Sequence, residues 1–459
     1  MPAKYLVHTS PAANRFEPIT KSGIIAWEEG CLKCAVCVKK RCVYKVYEKR
    51  GLNPRQMIDS IDNLCMNCLR CVQGCPRELI HKSISPEYAA MGDDYWSPDI
   101  ISKIWYQAQT GKIPVSGAGY PGPFSGPGFD SMWTDMSEIV RPTRDGIHGR
   151  EYISTAVDLG GTEGALCFGE DGLVSGPEIR LLDIPLPILL RMPVSRKISP
   201  NIISGWAVAA KRLGTFLAVG AEEMVAAPES CRPFLMPILD GEVACPEGVR
   251  VVESTFSAEK DANSFKSGND ARFVCLRLPM NTGIEERVLA AARAGFSIIH
   301  IEASPNGSFL DDPGKTMKDG IRAVHLGLVE AGIRDSVTII VSGGIAMAEH
   351  VPKSLICGAD AVFVDLALLV ALECRLCGRC DMDLPCPVEM DKAPPPWVAK
   401  RVVNLIGAWH NQLLEIMGAM GIRDARRMRG EAGRAMFFEE LDKSTFQDLG
   451  RREEGCEIE

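Results

Sequence analysis

Twelve of the eighteen cysteines in this chain fall into three tight groups. The first is Cys31, Cys34, Cys37 and Cys42, with gaps of two, two and four residues. The second is Cys65, Cys68, Cys71 and Cys75, with gaps of two, two and three, followed at once by Pro76. The third is Cys374, Cys377, Cys380 and Cys386, with gaps of two, two and five, followed by Pro387. Three thiolates at this spacing can grip three corners of an iron–sulfur cube while a more distant thiolate takes the fourth. The second run has in full the C-x2-C-x2-C-x3-C-P spacing of bacterial ferredoxins, in which the fourth cysteine of each run serves the other cluster. The expected [4Fe–4S] ligand sets are therefore Cys31, Cys34, Cys37 and Cys75 for one site, and Cys65, Cys68, Cys71 and Cys42 for the other. The first run departs from the pattern, with four residues before Cys42 and Val43 where proline is usual. The third run predicts a third cluster. Structural zinc is the competing reading, but it favours two CxxC pairs across a longer loop, and CxxCxxC crowds a tetrahedral ion.

The other six cysteines, Cys167, Cys231, Cys245, Cys275, Cys357 and Cys456, are scattered and read as small buried hydrophobes. A disulfide framework belongs to small secreted chains. This chain has 459 residues, and its start, MPAKYLVHTS, lacks the apolar core of a secretory signal. A cytoplasmic location is expected. With 46% hydrophobic and 24% charged residues the chain is built to fold. No run of eighteen apolar residues occurs, so no membrane span is expected. A net charge of -8 argues against nucleic acid as a partner.

The elements that must position these groups come in distinct blocks. The length suggests roughly three domains at about 150 residues each. Residues 1–95 read as a ferredoxin-like module, and 96–180 as an irregular Gly/Pro-rich connecting segment, typified by GAGYPGPFSGPGFDSMW. Residues 181–372 alternate short apolar runs with helical stretches, which predicts parallel strands joined by crossover helices, an α/β fold closed as a TIM-like β/α barrel. Strands are expected at Pro187–Met192, Phe216–Gly220, Phe273–Pro279, Ser297–Ala303, Val337–Gly343 and Ala361–Leu366, with helices at Ile284–Ala294 and Met317–Ala331. Residues 373–392 carry the third cysteine run, and 393–459 form a helical tail.

Within the barrel, Ser342, Gly343 and Gly344 end a buried strand and offer backbone N–H groups to an anion such as a phosphate. Gly358, opening the next Gly-Ala-Asp strand, is placed with them. Arg277 can hold an anion through its guanidinium, and Glu302 at a strand tip is a candidate general acid. None of the seven histidines has a ligand partner at helical spacing, so none is given a role.

The segments RPTRDGIHGREYISTAVDLG (141–160), SGGIAMAEHVPKSLICGADAVFV (342–364) and GIRDARRMRGEAGRAMFFEEL (421–441) resemble the archaeal-type glutamate synthase large subunit. The resemblance implies an FMN-binding β/α barrel that reduces 2-iminoglutarate with electrons arriving through iron–sulfur clusters. It also implies that Ser342, Gly343 and Gly344 form the FMN phosphate loop, and that Cys374, Cys380 and Cys386 match the three ligands of a [3Fe–4S] cluster. Cys377 is an added fourth thiol. The family's Asn-Thr-Gly-Glu-Gly-Gly segment is Ala218–Met224 here, and its substrate loop is replaced around Ala303–Phe309. Its barrel lysine is Arg277, and the Gly-Thr of the last strand is Asp365-Leu366.

The expectation is an iron–sulfur flavoprotein with three [4Fe–4S] clusters and FMN, relaying electrons in a multi-subunit redox complex. Its partners would be ferredoxin or a flavin/nicotinamide oxidoreductase. The alternatives are a glutamate synthase large subunit fed with ammonia by a separate glutaminase, and a flavin-free relay with a vestigial barrel.

Overall fold

The computed structural model describes residues 5–26, 30–32, 34, 36–47, 64–65, 68–113, 128–134, 153–161, 167–175, 180–193, 198–239, 246–255 and 273–450. Most of the resembling segment 141–160 and of the Gly/Pro-rich stretch before Trp133 lies outside them. Two compact units emerge, and neither follows one continuous piece of chain. The larger takes residues 1–12, 104–372 and 389–459, and the smaller takes 13–103 together with 373–388.

The larger unit is built on a closed barrel of eight parallel strands. These are β1 (Ile188–Arg191), β2 (Leu217–Gly220), β3 (Leu235–Leu239), β4 (Val251–Thr255), β5 (Phe273–Pro279), β6 (Ile298–Glu302), β7 (Thr338–Ser342) and β8 (Ala361–Val364). They are adjacent in chain order, and β8 closes on β1 through Val362 opposite Ile188. Strands buried on both faces read as continuous apolar runs rather than alternations, as in β7 (TIIVS) and β8 (AVFV), whose residues are all buried.

Helices connect and cover the strands. Helix α1 (Pro200–Leu213) starts with proline in its first turn and ends on the left-handed Gly214, the favoured arrangement at each end. It is followed by α2 (Ile284–Arg293), α3 (Met317–Glu330), α4 (His350–Cys357) and α5 (Leu366–Ala371). In α3, Thr316 and Asp319 form a reciprocal capping box that satisfies two amides of the first turn. Helix α6 (Pro395–Met420) packs on α1. Its fully buried Arg401 donates to the Ala371 carbonyl, and its Asn404 side chain donates to the carbonyls of Ser10 and Ala108. The amino-terminal residues 5–12 are thereby stitched to the barrel unit. Among the described residues no helix is long and apolar enough to cross a membrane.

The smaller unit holds an antiparallel strand pair, Ser22–Ala26 with Ile80–Ile84, and two short helical turns, Cys37–Arg41 and Arg70–Gln73. Its core is Val46, Tyr47, Cys71 and Ile80, with Cys37, Cys42, Cys65, Val72 and Cys75 packed against it. Five of these nine side chains are cysteines. The interior is built from groups that bind metal as readily as they fill space.

Candidate metal centres and the barrel mouth

In the smaller unit the two front runs interlock. Cys31, Cys34, Cys37 and Cys75 line one cavity, together with Leu32, Val36, Pro76, Arg77, Leu79 and Ile80. Cys42, Cys65, Cys68 and Cys71 line a second, with Arg41, Tyr44, Val46, Tyr47, Leu69 and Lys82. The fourth thiol of each run thus faces the other run's cavity. Local hydrogen bonds fix this exchange: the Cys42 amide donates to the Cys37 carbonyl, and the Cys75 amide to the Val72 carbonyl. Leu69, beside Cys68, is in the left-handed region at φ 57. Bulky residues enter that region at a cost of order 1–3 kcal/mol, which the surroundings must offset.

None of the twelve grouped cysteines is in a disulfide. Each cavity is walled by four cysteines, by apolar and aromatic side chains and by one or two cations, with no histidine or carboxylate among its described lining residues. Zn–S bonds of about 2.3 Å would put tetrahedral sulfurs within roughly 4 Å of one another. Among the described residues no cysteine trio has its sulfurs within 4.8 Å of one another. A [4Fe–4S] cube, with iron and sulfide at alternate corners, asks for a wider quartet than a single tetrahedral ion does, and these residues could hold one.

Two donors already address these sulfurs: the Leu79 amide reaches Cys75 Sγ at 3.4 Å and Lys82 Nζ reaches Cys65 Sγ at 3.0 Å. Burial, and then the neighbouring Cys71, raises the Tyr47 hydroxyl above the ordinary phenol range.

The third group occupies a single loop of the same unit. Glu373, Leu376, Gly378 and Asp383 are all left-handed, which folds the segment tightly. Arg379 closes it, its Nε donating to the Pro385 carbonyl and its own carbonyl accepting from Leu384. The loop is tied to the front segments by Gly92 donating to the Arg375 carbonyl, by the Arg15 amide donating to Glu373, and by an Arg375–Glu87 ion pair. Arg375 and Arg379, whose charges flank the thiols, therefore both have structural work.

In the barrel, charged residues point inward at the carboxyl ends of the strands. Arg191 ends β1, Glu253 lies on β4, Arg277 on β5, His300 and Glu302 on β6, and Ser342 ends β7. Arg191 Nη1 is 2.8 Å from both Glu253 oxygens, and Nη2 is 3.2 Å from Glu302. Arg277 makes looser pairs, 3.4 Å to Glu253 and 3.5 Å to Glu302. His300 links Glu253, at 3.2 Å from Nδ1, to Ser342 Oγ, at 2.7 Å from Nε2. Burial alone would raise the Glu253 carboxyl, but Arg191 and His300 outweigh it and hold it well below the usual carboxylate range. Burial lowers His300, against the pull of Glu253. Both predicted mouth residues, Arg277 and Glu302, are in this network. Arg191, Glu253 and His300 are its hidden members.

The glycine-rich loop is placed differently. Gly343 and Gly344 are left-handed at φ 90 and 68, and a Cβ on either would strike the backbone of the loop at 303–307. Their lack of a side chain thus serves loop-on-loop packing. Ser342 is engaged by His300. Gly358 does not join them: it caps the carboxyl end of α4, and its carbonyl accepts from Arg334, which also pairs with Asp360. That is the strand-start end of the barrel, opposite Ser342.

Asp365, directly after β8, bears on a flavin phosphate. Its carboxylate accepts from the Leu366 amide, capping α5. Burial raises its carboxyl, with the Leu366 amide and Arg191 pulling it down. As an anion it repels a phosphate, and in either state it occupies the amide a phosphate would need. Ser342–Gly344 and Asp365–Leu366 contribute no cation. A flavin phosphate at this place would need the Asp365 carboxylate to turn away from the Leu366 amide.

A closed parallel β/α barrel joined to a cysteine-rich module compatible with a ferredoxin defines the class. The family model described as the conserved region in glutamate synthase matches residues 263–423. The archaeal-type glutamate synthase [NADPH] of Dehalococcoides mccartyi is 24% identical over 88% of this chain and 92% of its own. The archaeal glutamate synthase [NADPH] of Methanocaldococcus jannaschii is 27% identical over 88% and 92%. Among solved structures, a flavocytochrome b2 variant with benzoylformate covers 80% of this chain and 86% of its own at 13% identity, with a TM-score of 0.43. The resemblance read from the sequence holds: the chain is similar to the archaeal-type glutamate synthases along most of its length.

Proposed function

We propose that this glutamate synthase-like chain is an iron–sulfur electron carrier working with other redox subunits. The observation that carries the reading is the crossed grouping of the front thiols around two cavities. Clusters bound there, and at Cys374, Cys377, Cys380 and Cys386, would supply one-electron transfer. The protein's part is to gather the thiols around each cavity, surround them with apolar side chains and set the local charge. Ferredoxin or a flavin/nicotinamide oxidoreductase is the class of partner such a carrier needs.

The second reading is glutamate formation, favoured by the names of the relatives that match along most of the chain. Against it, the mouth guanidiniums are already committed to carboxylates. A keto-acid would have to pull Arg277 from Glu253 and Glu302, and hydrogen bonds to charged groups are worth about 1.5–3 kcal/mol each.

The test is to reduce anaerobically prepared protein with ferredoxin and follow its spectrum. Reduction that 2-oxoglutarate plus ammonia leaves undisturbed is expected. Reoxidation by that pair, with glutamate appearing, would establish the second reading instead.

A further inference from the structure

The two front cavities differ in their charged walls. Among the described residues, the cavity of Cys31, Cys34, Cys37 and Cys75 has Arg77 as its one lining cation. The cavity of Cys42, Cys65, Cys68 and Cys71 has two among the described residues, Arg41 and Lys82. Of these cations, Lys82 has a resolved bond to a thiol, its Nζ lying 3.0 Å from Cys65 Sγ.

Lys82 is held there by the fold. It sits mid-strand in Ile80–Ile84, paired with Ile24 of the facing strand, while Ile80 of the same strand is buried in the unit's core. The side chain is half-buried, so water screens its charge only in part.

Adding an electron to a thiolate-bound cluster adds a negative charge, and hydrogen bonds to the sulfurs and net local charge are what tune cluster potential. An ammonium donating to a ligand sulfur favours the reduced state. From this asymmetry we infer that Lys82 raises the potential of the Cys42/Cys65/Cys68/Cys71 site above that of its neighbour and so sets where an electron comes to rest in the module. Lys82 is a tuning residue and takes no part in bond-making. The inference rests on the iron–sulfur reading of the thiols.

The experiment is a redox titration of the full-length protein, followed by electron paramagnetic resonance, for wild type, Lys82→Met and Lys82→Arg. Methionine keeps the length of the side chain and removes the charge. Lys82→Met is expected to make reduction of one cluster about tenfold less favourable, a drop of about 59 mV for a one-electron couple. The other clusters should hold their potentials, and Lys82→Arg should keep most of the wild-type value. Unmoved potentials in Lys82→Met, or equal shifts in all clusters, would overturn the inference with the iron–sulfur reading intact. A wild-type protein carrying neither iron nor sulfide would overturn the reading and the inference with it.

Discussion

Arg191 and Glu253 meet inside the barrel with one guanidinium nitrogen 2.8 Å from both carboxylate oxygens, and both side chains are almost wholly buried. Taking a buried pair apart by removing one partner leaves an uncompensated charge and typically costs 3–5 kcal/mol. Glu253→Ala should therefore lower unfolding stability by about 3–5 kcal/mol, read from urea denaturation. Arg277 and His300 also lose their common carboxylate in that variant. A loss under about 1 kcal/mol would show that the pair is not closed as described.

Two buried histidines make the barrel unit acid-sensitive. His410 Nε2 lies 3.0 Å from Thr155 Oγ1, whose hydrogen goes to the Pro185 carbonyl, so Nε2 is the donor. A second proton would fall on Nδ1, which is buried without a hydrogen-bond partner among the described residues. Burial brings His410 down to about 4, and burial with Lys353 nearby brings His350 to about 3. The unfolded rings bind protons from about pH 6.5. Between there and pH 4 the unfolded chain holds more protons, so this stability is present above pH 6.5 and is lost as pH falls. The effect for His410 is about 3 kcal/mol. Denaturation midpoints should fall steadily from pH 6.5 to 4, and a flat profile would contradict the assignment.

Cys377 is the thiol that distinguishes the third run from the three-ligand spacing of the family. As a fourth ligand it would complete a cube. Cys377→Ser should convert the third cluster toward a three-iron form, visible in the oxidised protein by electron paramagnetic resonance. Unchanged spectra in both oxidation states would remove Cys377 from the ligand set.

Flavin content separates the barrel's two histories. With the Asp365 carboxylate on the Leu366 amide, extractable flavin should fall far below one per chain. One flavin per chain would mean that Asp365 turns away to admit a phosphate.

Much of this was legible in the sequence because the strongest signals are local. Cysteine spacing needs no fold to be read, and strands such as VTIIVS announce themselves as unbroken apolar runs. Strands β3 and β4 did not. In LMPIL the internal Pro237 reads as a strand breaker, and in VVEST the core-facing Glu253 reads as a surface residue. Glu253, Arg191 and His300 take on meaning only when barrel closure turns them inward together, which one strand at a time cannot reveal. Gly358 was misplaced for a related reason: adjacency to a strand does not say at which end of the barrel a residue lies. The third cysteine run, whose Cys374 lies 299 positions after Cys75, belongs to the front module only through contacts such as Gly92 with Arg375.

The most direct measurement is an iron and acid-labile sulfide count on anaerobically purified full-length protein. Three complete cubes predict about twelve of each per chain. Stoichiometric zinc with no sulfide, or neither metal nor sulfide, would contradict the account at its root.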